Sequence, residues 1–111
     1  MKTLFLMRHA KSSWDDPGRV DHDRPLKPRG VAAARRMGRL FLDLDAVPER
    51  ILCSTAVRAT QTLVLLRDVW SLEPRRQPVV QLDPALYHAD PETLQRAIAD
   101  VSEMAARVLL I

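Results

Sequence analysis

A chain of 111 residues with 47% hydrophobic and 28% charged side chains has the make-up of an ordinary soluble globular protein, with room for one domain at most. The formal charge of +3 rests on scattered arginines, which points to weak attraction for anions and away from a nucleic-acid surface. Two Trp, one Tyr and two Phe leave little for base stacking, and the N-terminal apolar stretch is too short for a signal segment or a membrane span. Cys53 is the single cysteine, so no disulfide forms within the chain, which fits a cytoplasmic protein.

Residues 3–7 read as a buried strand, short and apolar on both faces, and Arg8-His9 follows it directly. Residues 11–24 are polar and contain Pro17-Gly18, which predicts a loop. Pro28 suits a first helical turn. Val31, Ala34, Gly38 and Phe41 recur at helical spacing behind it, and the helix should run to about residue 42 or 44, before Pro48. Residues 51–53 form a second short strand, and Ser54 suits the cap of the next helix. Ala59, Leu63, Leu66 and Trp70 line one face of that helix, which Glu73-Pro74 ends. Val79-Val80 is a weak third strand. Asp90-Pro91-Glu92 is a strong helix start, with Leu94, Ala97, Ile98 and Val101 as the buried face. Residues 107–111 give a fourth strand.

This alternation predicts an α/β fold with mostly parallel pairing. Ligands in such sheets sit beyond the carboxyl ends of the strands, where His9 and Ser54 fall. A neutral imidazole held in one tautomer is a nucleophile for phosphorus. The phosphoryl oxygens need positive charge and paired donors, which arginine supplies. His9, Arg8 and Arg58 therefore make a candidate phosphate cradle, helped by the N-terminus of the helix that carries Arg58. Arg24 has Asp21 and Asp23 as candidate partners. His22 between these acids suggests metal binding, but no second cluster has ligand spacing, and a solvated loop is the simpler reading. Cys53, Trp14 and Trp70 read as packing residues.

At these residues the chain resembles the histidine phosphatase superfamily, the phosphoglycerate mutase-like fold. Residues 6–12, from Leu6 through Arg8-His9-Ala10-Lys11-Ser12, resemble its opening motif. Asp23-Arg24-Pro25-Leu26 with Gly30 resembles the segment leading into its first helix. Residues 54–62 match Ser-x-x-x-Arg-Ala-x-Gln-Thr, and the short loops look most like the small phosphohistidine phosphatases of the SixA type. The resemblance implies a three-layer sandwich, with residues 1–111 as one domain incomplete at its C-terminal end. It implies that His9 becomes phosphorylated and that Arg8 and Arg58 bind the phosphoryl group. Ser12, Lys11 and Arg24 are candidates for the rim, and Tyr87 and His88 for the pocket wall. No metal or cofactor is implied. The substrate would be a phosphohistidine-bearing protein or a small phosphoester, with no nucleic-acid or membrane partner.

Two departures accompany the resemblance. Lys27 stands where the family places a Ser or Thr helix cap. The family also follows its fourth strand with Gly-His-Asn-Pro, whose His binds the phosphoryl group opposite the first, and this sequence stops at Ile111. The alternatives are a phosphatase of small phosphoesters and an inactive chain that at most binds phosphate or a partner. The 111 residues alone are expected to be marginally stable and prone to self-association, because the first strand has a bare apolar edge. They are also expected to be far less active than an extended version.

Overall fold

The computed structural model describes residues 3–9, 13–16, 18–102 and 105–111; Lys11, Ser12 and Pro17, on which expectations were placed, lie outside them. Strands β1 (Thr3–Leu6), β2 (Arg50–Ser54), β3 (Val79–Asp83) and β4 (Arg107–Leu110) alternate with helices α1 (Pro28–Asp43), α2 (Val57–Trp70) and α3 (Pro91–Ser102). The sheet order is β1-β4-β2-β3, and all three pairings are parallel.

Successive strand residues point to opposite faces, and this splits the core in two. Ile51, Cys53, Leu109 and Ile111 pack with Phe41 of α1 and with Leu63, Leu66 and Trp70 of α2. Leu52 and Val108 face the other way, onto Leu86, Ala105 and Val101 of α3. The result is the α/β three-layer arrangement. Ile51, Leu66 and Leu109 are fully buried, and each contributes about 1.5–3 kcal/mol by leaving water.

Helix boundaries follow local chemistry. Pro28 occupies the first turn of α1. Lys27 in the cap position supplies no side-chain bond, as its chemistry requires. The entry is secured instead by Gln61 of α2, whose Oε1 accepts the Leu26 N–H at 2.8 Å. Asp90 caps α3 through the Thr93 N–H at 2.8 Å.

Several expectations are corrected. The first strand is not buried: it ends at Leu6, lies at a sheet edge beside β4 alone among the described residues, and leaves Leu4 41% and Leu6 70% exposed. Of its apolar residues, Phe5 turns inward, edge-on to Phe41 at 5.3 Å. Ser54 does not cap α2. β2 runs through Ser54, whose Oγ accepts the Ala56 N–H at 3.2 Å, and Ala56 holds the cap position. α2 ends at Trp70, before Glu73-Pro74, because Ser71 takes left-handed backbone with φ 45°. β3 is longer than Val79-Val80, because its whole length pairs with β2. Trp14 is 69% exposed rather than packed inside.

Gly38 sets how closely α1 and α2 approach. A Cβ there would lie 3.0 Å from the Val69 Cβ, and the Trp70 Nε1–H donates to the Gly38 carbonyl at 3.0 Å. Gly38→Val should therefore cost about 1–3 kcal/mol through overpacking. Val69→Ala in the same chain should recover part of that loss. Urea unfolding midpoints of the two variants and the parent check this.

Candidate active site at the carboxyl edge of the sheet

Three strand ends meet at one edge. The Met7 N–H donates to the Leu110 carbonyl at 2.9 Å, and the Ser54 N–H donates to the Ile111 carbonyl at 3.1 Å. Met7, His9, Ser54, Arg58, Leu86, Tyr87, His88 and Ile111 are among the residues around a cleft of about 300 Å³ at that edge. The N-terminus of α2 opens onto it, with Arg58 as the second helical residue.

Arg58 is 6% exposed, so its charge needs partners close by. Its Nε–H donates to His9 Nε2 at 3.2 Å. Nη1 donates to the Asp21 carbonyl at 2.7 Å and Nη2 to Asp21 Oδ2 at 3.1 Å. A guanidinium only donates, so His9 Nε2 must present its lone pair. The imidazole is then neutral with its proton on Nδ1, the tautomer needed for nucleophilic attack at Nε2. Thr62, fully buried one helical turn on, steadies Arg58 by donating its hydroxyl to the Arg58 carbonyl at 2.7 Å.

The other predicted residues separate into groups. Tyr87 and His88 do line the cleft, stacked on each other with ring centroids 4.2 Å apart. His88 takes positive φ, 50°, to stand there. Arg8 is exposed and is not among the residues lining the cleft; Met7 and His9 on either side of it are. Arg24 is buried, but its guanidinium pairs with Asp21 Oδ1 at 2.9 Å and lies 3.5 Å above the Trp14 ring, so it too is absent from the cleft lining. Burial drives this pairing, since a charge removed from water takes the nearest opposite charge. Lys11 and Ser12 lie outside the described residues. His22 is a structural link, with Nε2 3.0 Å from the Thr55 hydroxyl and Nδ1 3.2 Å from Asp23. Burial pushes the Cys53 thiol up to about 12, so it stays protonated at neutral pH.

Sequence reasoning missed the importance of Asp21. It entered only as a candidate partner of Arg24. Its carboxylate also accepts from Arg58 and from the Tyr87 hydroxyl, and lies 3.3 Å from His88 Nε2. The one local signal was an acid three residues before an arginine. The Tyr87 hydroxyl, then Arg24, then Arg58 hold the Asp21 carboxyl well below the usual carboxylate range. Asp21 in turn pushes the Tyr87 phenol up, so Tyr87 remains a donor.

A depressed folded-state pKa stabilises the fold above the unfolded value, near pH 4, and that gain is lost as pH falls further. Stability of the parent chain should therefore drop steeply below about pH 4. Asp21→Asn should be less stable at neutral pH and should show a flatter profile between about pH 5 and 2. Denaturant midpoints measured across that range check both the sign and the window.

Comparison with known proteins places this geometry. The pattern of the histidine phosphatase superfamily (branch 1) matches residues 4–86. An uncharacterised protein of Mycobacterium leprae is 36% identical over 108 residues, covering 95% of this chain and 62% of that protein. A candidate phosphohistidine phosphatase SixA from Agrobacterium tumefaciens superposes with a TM-score of 0.87 at 31% identity, over 97% of this chain and 66% of that one. The protein histidine phosphatase SixA in complex with tungstate superposes with a TM-score of 0.82 at 29% identity, over 97% of this chain and 67% of that one. This chain thus spans about two thirds of the length of these relatives. With three quarters of its length matched by the family pattern and the fold shared across nearly all of it, the chain belongs to the histidine phosphatase superfamily.

Proposed function

We propose that this protein is a phosphatase that removes the phosphoryl group of phosphohistidine through a phosphorylated His9. The observation that carries the reading is the bond from Arg58 Nε to His9 Nε2, which marks the attacking atom and sets a positive charge against it. In the first step His9 Nε2 attacks phosphorus and the substrate's P–N bond breaks, releasing an imidazole that takes up a proton. In the second, water attacks phosphorus, the P–Nε2 bond breaks, and inorganic phosphate leaves. Arg58 gives up its contact with Nε2 and donates to the phosphoryl oxygens, where charge develops. Arg8, with Lys11 and Ser12, is proposed to add positive charge and donors at the rim, while Arg24 is engaged by Asp21. An imidazole leaving group has a conjugate acid near neutral pKa, so it needs little help to depart. The tungstate complex of the SixA relative supports oxyanion binding in this fold.

One observation favours a second substrate class. His88 lines the cleft beside the Asp21 carboxylate, 3.3 Å from Nε2 to Oδ2. An imidazole N–H there can donate to a departing alkoxide, which suits small phosphoesters. Competition between a phosphohistidine peptide and an alkyl phosphate, read as kcat/KM, decides between the two. Phosphate binding without turnover of either would leave only a binding role.

The assay is run on the 111-residue chain and on a version extended through the segment that the resemblance places after β4. His9→Ala should abolish turnover and acid-labile phosphate labelling in whichever version is active, and surviving label would remove His9 from the reaction. Arg58→Lys keeps the charge but loses the fork and the Nε contact. It should cost on the order of 2–3 kcal/mol of transition-state stabilisation, read from kcat/KM.

A further inference from the structure

We infer that Asp21 is the positioning residue of the phosphoryl site, setting which edge of Arg58 faces the nucleophile. The inference rests on the phosphoryl-transfer reading above. Arg58 has five N–H donors. Asp21 takes one from each Nη atom, through its backbone carbonyl at 2.7 Å and its Oδ2 at 3.1 Å. This two-point grip fixes the guanidinium plane. The Nε edge is left facing His9, where Nε lies 3.2 Å from Nε2. An incoming phosphoryl group therefore meets Arg58 along its Nε edge, beside the atom that attacks phosphorus.

Asp21 is itself held from three sides. Arg24 binds Oδ1 from within its own turn, at 3.0 Å from Nε and 2.9 Å from Nη2. The Tyr87 hydroxyl donates to Oδ2 from the loop after β3. His88 Nε2 approaches the same oxygen at 3.3 Å. Arg24 thus acts on the cleft through Asp21, which gives a buried arginine outside the cleft lining a role at the site. The carboxylate is also an anion beside an anion site. It opposes ground-state oxyanion binding while it improves the aim of Arg58. Those two effects have opposite signs, and a purely structural residue would not separate them.

The test compares the parent with Asp21→Asn and Asp21→Glu. Asp21→Asn should lower kcat about 10- to 100-fold, the range for losing a partner that orients a reacting group. Its tungstate affinity should hold or tighten, because a competing negative charge has gone. Asp21→Glu keeps the charge but displaces it by a methylene, so it should also lose about tenfold in kcat. It carries the test if Asp21→Asn does not fold. An activity-independent readout comes from nitrogen-15 NMR. The parent should show a slowly exchanging Arg58 Nε–H and a single Nδ1–H tautomer of His9. Both variants should show faster Nε–H exchange and mixed His9 tautomers. Parental kcat in a folded variant, a parallel fall of kcat and tungstate affinity, or unchanged NMR signals would each overturn the inference. A parent without turnover, in both lengths, would count against the phosphatase reading, and the NMR comparison would then decide the role of Asp21 alone.

Discussion

A guanidinium placed almost wholly out of water needs an anion, and the arrangement of this cleft follows from how Arg58 finds one. Asp21 is the anion, and it reaches Arg58 across 37 residues of chain. Without Asp21 the buried Arg58 charge would lose its anion. The pair therefore fixes where the Asp21–Asp23 turn lies against α2. The same carboxylate collects Arg24 and Tyr87, so the loop before α1 and the loop after β3 are anchored to one point. Two guanidinium groups on one carboxylate leave a surplus positive charge at the mouth of α2, where the helix dipole adds to it. The positive side of the cleft follows from the way Arg58 is buried.

The residues around Arg58 show how a chemical motif is also a packing solution. Ala59 and Thr62 are buried against the sheet side of α2, and Thr62 returns its hydroxyl to the Arg58 carbonyl. Gln61 turns the other way and ties the segment leading into α1 to α2 by holding the Leu26 N–H. Gly38 and Trp70 bring α1 and α2 close enough for that bond to form. The helix carrying the charge is therefore held by its neighbours at both ends. In the proposed reaction such rigidity matters, because small errors of placement cost large factors in rate.

The wall opposite α2 is built differently. Tyr87 and His88 stand on a loop, stacked on each other, with the His22 ring edge-on to Tyr87 at 4.9 Å. Aromatic contacts and one shared carboxylate hold them, in place of a backbone ladder. Arg58 lies 5.7 Å above the Tyr87 ring, which links the wall back to the charged side of the cleft.

Much of the fold was legible in the sequence, because it rests on local periodicity. The face Ala59, Leu63, Leu66 and Trp70, the Pro28 start of α1 and the Asp90 cap of α3 are each set by residues within a few positions of one another. Parallel pairing followed from the alternation of strands and helices. His9 and Arg58 could be matched as a pair because His9 follows a strand and Arg58 stands in the first turn of the helix after another, at the sheet edge that collects ligands. Pairing partners and burial were decided only by the tertiary structure. An apolar strand looks buried in sequence, yet β1 has β4 as its one neighbour among the described residues and leaves Leu6 in solvent. Arg24 read equally as a rim residue and as a partner of Asp21 or Asp23, and the fold pairs it with Asp21. Asp21 itself was invisible as a centre, since its partners lie 3, 37 and 66 residues away. Sequence spacing records contacts within one element, and charges that meet between elements are chosen by burial, which is settled only when the layers close.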